Sequence, residues 1–335
     1  MPSERECVFD IMKGFGIFLV VLGHVVKNYE LGLFSLPCFI YSFHMPLFFF
    51  VSGMLYHKRK DFLKNISIKL GVPYISFAFL SYAYWFFVES KYRSAVEVEP
   101  LAQFTNIFFP MNIYGGYAFN VVLWFLPALF FCTILFYLFN KICKGRLLFL
   151  MFLILLVVIY DSLFYKLFIP FYIPQALCAL PFFAMGNVFQ QYRQNHFFVS
   201  YKKISFVTSV AILLILGICS PRYDMLYSSY YGLYILFALG GGLGSLSMYF
   251  ISQTIGSNKL MQWLGMNSLV IMLVHEPIKR IVIKIYSQLT NLPVLDVRSS
   301  LLHILICTIL TIGCVAPFGL VIKTCAPFLL GKKIA

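Results

Sequence analysis

The stretch DIMKGFGIFLVVLGHVV, residues 10–26, decides the fold. It is apolar over nearly the length a helix needs to cross about 30 Å of hydrocarbon. Asp10, Lys13 and His24 interrupt it. Lys13 and His24 are about three helical turns apart, so they share a face and lie roughly 16 Å from each other along the axis. Asp10 precedes Lys13 by one turn and sits beside it. Ionisable groups in a membrane helix are costly and turn toward a cavity or a polar partner. The spacing leaves two readings open: a functional polar stripe, or an interfacial Asp–Lys pair with a histidine at the opposite headgroups.

Working outward, the 335 residues are 61% hydrophobic and 11% charged, against about 25% charged in soluble domains. The expectation is an all-α, polytopic integral-membrane helical bundle. A net charge of +14 raises the question of nucleic acid. The basic residues, however, fall in short patches between apolar runs, as the positive-inside rule produces, so no nucleic-acid partner is expected. The nine cysteines form no C-x-x-C or zinc spacing and read as small core residues. No H-x-x-x-H, H-E-x-x-H or G-x-S-x-G motif occurs, which argues against a metal site and a serine hydrolase. The first segment lacks an A-x-A-like cleavage site, so it reads as a span and not a cleaved signal.

About ten apolar segments follow one another: 10–27, 38–57, 71–89, 121–140, 147–164, 174–190, 204–220, 230–252, 266–287 and 301–323. Lys58, Arg59, Lys60, Lys64 and Lys69, then Lys141, Lys144 and Arg146, then Arg193, Lys202 and Lys203 gather on one side with both termini. This bias predicts an N-in, C-in topology. The longest loop, 90–120, falls on the outer side and holds Tyr114-Gly115-Gly116-Tyr117; it reads either as a cover for a site or as a plain connection. Gly240, Gly241, Gly242 and Gly244 in the eighth segment would let a neighbouring backbone approach. With no soluble domain or repeat in view, residues 1–335 read as one membrane domain.

Three further groups could carry chemistry. His44, in SFHMPLFFFVSGMLY, enters the second segment near the level at which His24 leaves the first; Pro46 would favour a helix start there in any case. The basic loop before the third segment is a topology signal, and clustered Lys and Arg also neutralise phosphate; Lys69 stands at the mouth of that segment. In GMNSLVIMLVHEPIKR, Ser268, His275 and Lys279 lie near one helical face, and Asn267 could cap its start. His275 is mid-membrane, so it is either a structural hydrogen-bonding residue or part of a site.

Taken together, DIMKGFGIFLVVLGH (10–24), FHMPLFFFVSGMLY (43–56), KLGVPY (69–74), WFLPALFF (124–131), PFFAMGN (181–187) and GMNSLVIMLVH (265–275) resemble, in order, the acyltransferase 3 family of integral-membrane acyltransferases. The resemblance is greatest to its branch of fucose and surface-polysaccharide O-acetylases. It implies about ten membrane helices, an inner-membrane location, and transfer of an acetyl group from cytoplasmic acyl-CoA to a hydroxyl of an envelope saccharide or lipid-linked sugar. No bound cofactor is implied; acetyl-CoA is the donor substrate, and membrane lipids surround the chain. In the family a basic residue, commonly Arg, precedes the first-helix histidine with ten residues between them. Here it is Lys13, a point charge instead of a fork. The residues expected to act are His24, His44 and His275 in catalysis, and Lys13 (held by Asp10) and Lys69 at the acyl-CoA. Trp124, Ser268 and Asn267 are expected at the acceptor. His24 would serve as general base or as transient acyl carrier, and His44 or His275 would orient the acceptor or stabilise the oxyanion. A transporter of a lipid-linked sugar is the competing class. It would predict an inverted repeat, which the sequence does not display.

Overall fold

The computed structural model describes residues 4–57, 61–92, 99–110, 118–142, 152–153, 156–157, 169–193, 202–227 and 234–332. Most of the expected fifth segment, the Lys58–Lys60 cluster and Tyr114 to Tyr117 lie outside the described residues.

Helix α1 spans Glu4–Val25. A two-residue turn at Gly32 and Leu33 joins strands β1 (Glu30–Leu31) and β2 (Phe34–Ser35). Gly32 supplies the positive φ of 59° that this tight turn requires. The hairpin returns the chain as α2, Leu36–Met54, antiparallel to α1 and packed on it. Next come α3 (Phe62–Ile66), a π-helical turn at Ser67–Gly71 and α4 (Val72–Phe87). Helices α5 (Pro100–Phe108), α6 (Phe125–Ile142), α7 (Ile173–Tyr192), α8 (Lys202–Cys219) and α9 (Tyr234–Ile255) follow. The chain closes with α10 (Lys259–Met266), α11 (Ser268–Thr290), the short α12 (Val294–Val297) and α13 (Leu301–Cys325). The protein is an all-α membrane bundle.

Among the described residues, six helical stretches are long and apolar enough to cross a membrane: Cys7–Val25, Leu36–Met54, Phe62–Lys91, Val121–Asn140, Tyr234–Ile255 and Leu301–Cys325. Helices α7, α8 and α11 occupy three of the other expected segments. Helix α11 is less apolar because Glu276, Lys279, Arg280 and Lys284 ride on it. Two of these charges, Glu276 and Lys279, are buried against the bundle, where partners offset their desolvation. Helices α8 and α13 instead expose Ile204, Val207, Leu214, Ile309, Leu320 and Val321, a surface suited to lipid.

Helix α1 is the hub, in contact with α2, α9, α10, α11 and α13. Its crossing with α10 is backbone-close: a Cβ at Gly14 would overlap the Met261 carbonyl, and one at Gly265 the Asp10 carbonyl. Helices α2 and α7 meet in the same reciprocal way, Gly53 on the Phe183 carbonyl and Gly186 on the Phe50 carbonyl. The glycine run of α9 behaves differently. Gly241 and Gly244 receive side chains of α2, Pro46 and Phe43, not a backbone. A clash with backbone cannot be relieved by a rotamer change. Gly186→Val is therefore expected to lower stability by at least about 1–3 kcal/mol. Gly313→Val, which points into open space, should leave the thermal unfolding midpoint in detergent nearly unchanged.

The second segment starts earlier than Pro46 would suggest. Pro37 occupies the first turn of α2, and Pro46 lies inside the helix. A membrane helix tolerates an internal proline because neighbouring groups re-satisfy the freed carbonyl. His44 is consequently two turns inside α2 and buried, not at its entrance.

Candidate active site

His24 stands one residue before the end of α1, where the last carbonyls of a helix have no partner within it. Arg298, in the turn between α12 and α13, supplies one. Its Nε donates to the Val25 carbonyl at 2.8 Å and its Nη2 to the His24 carbonyl at 3.1 Å. The Arg298 carbonyl in turn accepts from the Lys27 N–H at 2.8 Å. A cation at the negative end of a helix is favourable in itself, and this one also fixes the backbone that carries His24.

The imidazole of His24 meets α11. Its Nδ1 lies 3.5 Å from Glu276 Oε2, and its ring centroid is 5.3 Å from that of His275. Glu276 is a buried hub. Lys279 Nζ donates to its two oxygens at 2.8 and 2.9 Å. Arg280 approaches Oε1 at 3.2 Å and reaches Glu89 at 2.6 Å, tying the far end of α4 to α11. A buried carboxylate is tolerated only when it is paired and hydrogen-bonded, and here two cations hold it ionised beside His24. With Nδ1 on the side of this carboxylate, Nε2 is the ring nitrogen of His24 left to face other groups.

The other two histidines have a fixed orientation. Nδ1 of His275 faces the carbonyls of Ile271 and Met272, both at 2.9 Å. Nδ1 of His44 faces the Ile40 carbonyl at 2.8 Å. A carbonyl only accepts, so each Nδ1 carries the hydrogen and each neutral ring offers only a lone pair at Nε2. Such a ring can orient a hydroxyl by accepting from it, but it has no hydrogen to donate to an oxyanion. Of the roles expected for His44 and His275, orienting the acceptor is the one this neutral tautomer suits. The donor atoms of His24, His275 and Glu276 lie within 4.8 Å of one another, close enough for a metal ion. Lys279 and Arg280 already occupy Glu276 and would repel one, so the make-up of the cluster suits an acid–base group better.

A cavity of about 200 Å³ opens at this end of the bundle. His24, Tyr41, His44, Trp124, Asp224 and Tyr227 contribute to its wall. Trp124, expected at the acceptor, is thus beside both histidines. Asp224 was not foreseen; it lies between α8 and α9, and burial pushes its carboxyl up from the ordinary range while the Leu226 N–H, 3.1 Å away, opposes that shift. Gln175 fixes the same loop through the Leu226 carbonyl at 2.7 Å. Asn120, also unforeseen, bridges Ser81 and the Leu273 carbonyl at 3.1 and 2.8 Å, locking α4 to α11 one turn from the acid–base group.

The remaining expected residues lie at the opposite end of α1. Lys13 pairs with Asp10 at 2.5 Å. Lys69 sits in the π-helical turn, a distortion that often marks functional positions. It lines a second cavity of about 230 Å³ with Ser52, Tyr56, His57, Asn65 and Thr133. Lys13 does not line that cavity, so the two lysines do not share one wall. Asn267 and Ser268 are also at this end, because α10 lies against the start of α1. Asn267 does not cap α11 with its side chain; its Nδ2 donates to the Trp263 carbonyl and its Oδ1 accepts from Lys323 Nζ, both at 2.6 Å. The structure therefore separates Asn267 and Ser268 from Trp124, with which they were grouped. The His24–His275 pairing, by contrast, joins two helices that only tertiary contact brings together.

The family model described as an acyltransferase domain, acyltransferase 3, matches residues 8–320. The chain belongs to the acyltransferase 3 family. It is also similar to the nodulation protein NolL of Sinorhizobium fredii (strain NBRC 101917 / NGR234), 29% identical over 213 residues that cover 56% of this chain and 50% of that protein. The chain thus spans about half the length of this curated relative. No solved structure is matched. For this member of the family the Arg298 clamp yields a prediction. Arg298→Ala removes the cation from the His24 and Val25 carbonyls and should cut transfer about 10²-fold, the usual cost of a small misplacement of a catalytic group, with donor binding retained. Arg298→Lys, a point donor in place of a fork, should fall between. Rates and donor affinity measured on the same preparations test this.

Proposed function

We propose that this membrane acyltransferase moves an acetyl group from cytoplasmic acetyl-CoA to a hydroxyl of an envelope saccharide or lipid-linked sugar, within one domain of N-in, C-in topology. The observation that carries the reading is the His24–Glu276 contact at the wall of the cavity that also holds His44 and Trp124. The acceptor hydroxyl would bind in that cavity, with His44 Nε2 accepting from a neighbouring hydroxyl and Trp124 offering an aromatic face. His24 Nε2 takes the proton of the attacking hydroxyl as general base. The oxygen adds to the thioester carbonyl carbon, the carbonyl electrons move to oxygen, and their return expels the CoA thiolate. The proton held on His24 passes to that sulfur. Glu276 holds the imidazole in the tautomer that leaves Nε2 free and stabilises the imidazolium that forms.

Lys69, with the basic loop ahead of it, is the site we assign to the anionic end of the donor. Lys13, held by Asp10, stands at the same end of the bundle and would add to that basic mouth. Lys69→Ala is expected to raise the KM for acetyl-CoA and leave kcat nearly unchanged. The effect should be greatest at low ionic strength, where exposed charges are least screened. The reading is tested by incubating membranes containing the protein with radiolabelled acetyl-CoA and an envelope glycolipid fraction. Label should enter the glycolipid as an alkali-labile ester. Absence of label with wild-type protein that binds acetyl-CoA would overturn the reading.

A further inference from the structure

The acid–base group accounts for the proton but not for the charge that develops on the thioester oxygen. That charge requires a hydrogen-bond donor in the cavity. Neither His44 nor His275 can supply it while neutral, since each spends its N–H on a carbonyl of its own helix. Lys279 is committed to both oxygens of Glu276. Among the described residues, the side-chain donors left in the wall are the hydroxyls of Tyr41 and Tyr227 and the indole N–H of Trp124.

Position distinguishes among them. Tyr41 lies on α2 with its ring against α1 at Gly23, the residue next to His24; a Cβ on Gly23 would be 3.5 Å from Tyr41 Cε2. Its ring is edge-on to His44, centroids 5.0 Å apart. Tyr227 is 49% exposed, on the loop that bounds the cavity, and Trp124 packs beside Phe125 and Tyr172 on the side of α6. Tyr41 also has a feature that the other two lack among the described contacts. The guanidinium of Arg222 stands over its ring, 4.7 Å from the centroid. A cation on the face of a phenol draws electron density from it and makes the hydroxyl a stronger donor.

We propose that Tyr41 is a catalytic residue whose hydroxyl donates a hydrogen bond to the tetrahedral oxyanion, with Arg222 as the positioning residue that strengthens it. The proposal rests on the acyl-transfer reading of the same cavity. No proton leaves Tyr41. The bond to the acceptor oxygen forms, the carbon–sulfur bond breaks, and the phenol hydrogen bond tightens only while the oxygen carries charge. Interactions confined to the transition state change kcat and leave KM alone.

The experiment is Tyr41→Phe, which removes one oxygen atom and keeps the ring. Transfer from radiolabelled acetyl-CoA to the envelope glycolipid fraction is measured over a range of both substrates, with the dissociation constant of the unreactive thioether S-ethyl-CoA measured in parallel. The expected result is a fall in kcat of about 10²- to 10³-fold. Both KM values, the S-ethyl-CoA affinity and the shape of the pH profile should stay as in wild type. Arg222→Gln, an exposed change that should not impair folding, is expected to lower kcat severalfold with the same KM values. It decides the matter if Tyr41→Phe fails to accumulate. A Tyr41→Phe rate within threefold of wild type, a rise confined to the acceptor KM, or an Arg222→Gln kcat equal to wild type would overturn the proposal while leaving the acyl-transfer reading intact. An inactive wild-type protein would overturn both.

Discussion

His24→Ala is expected to yield a folded protein that binds acetyl-CoA and transfers nothing measurable. Loss of a general base costs about 10²- to 10⁴-fold, and the substitution also removes the only link from α1 to Glu276 among the described ion pairs. His24→Gln separates shape from proton chemistry: glutamine fills similar space and forms hydrogen bonds but cannot take up a proton near neutral pH. It should be nearly as inactive as the alanine variant. The wild-type rate should fall on acidification, because protonation of His24 occupies the lone pair that accepts the hydroxyl proton. Donor affinity should persist in both variants, because Lys69 lies at the other end of the bundle. Near-normal transfer by His24→Gln would move the chemistry to His275 or His44.

Glu276→Gln is expected to be almost as damaging, for two separable reasons. The amide no longer stabilises an imidazolium at His24, and loss of an orienting carboxylate in acid–base groups of this kind costs up to about 10⁴-fold in rate. It also leaves Lys279 without a counter-charge in a buried position, a change worth about 3–5 kcal/mol of stability. The double variant Glu276→Gln, Lys279→Met removes the stranded cation while Arg280 keeps its partner Glu89. It should recover most of the thermal stability and none of the transfer. Recovery of both in the double variant would assign Glu276 a purely structural role.

These expectations depend on residues that differ in how visible they were from the sequence. The membrane class followed from composition and from the length of the apolar runs, because hydrocarbon thickness alone dictates about 20 apolar residues per helix. The Lys13–His24 stripe was legible because both positions lie on one helix, whose period is fixed. His275 was legible for a similar reason, as a polar residue far from either end of an apolar segment. Glu276 stands beside it in the sequence and carries the same signal, an acid in a membrane helix. Helical spacing does not single it out, because spacing ranks residues by shared face and adjacent positions do not share one.

Tertiary structure decided which helices meet. The carboxylate that His24 faces arrives from α11, and the cation that fixes the His24 backbone arrives from the turn before α13. Asp224 and Arg222 come from a loop whose position depends on Gln175 in α7. Periodicity within one helix says which residues look the same way. It says nothing about which distant helix fills the space in front of them, since that is set by side-chain and backbone fit at crossings such as Gly53 with Gly186. Asn267 and Ser268 show the same limit from the other side. Ser268 shares a face with His275 on α11 and Asn267 immediately precedes it, yet the crossing of α10 with the start of α1 places both at the Asp10 end. The sequence by itself determined that this chain is a membrane bundle with a polar stripe in its first helix. Only the packing of α11 and the 298 turn against that helix decided that His24 has an acid to orient it and a cavity to face, because helix pairing is chosen by shape complementarity over many residues and not by any local pattern.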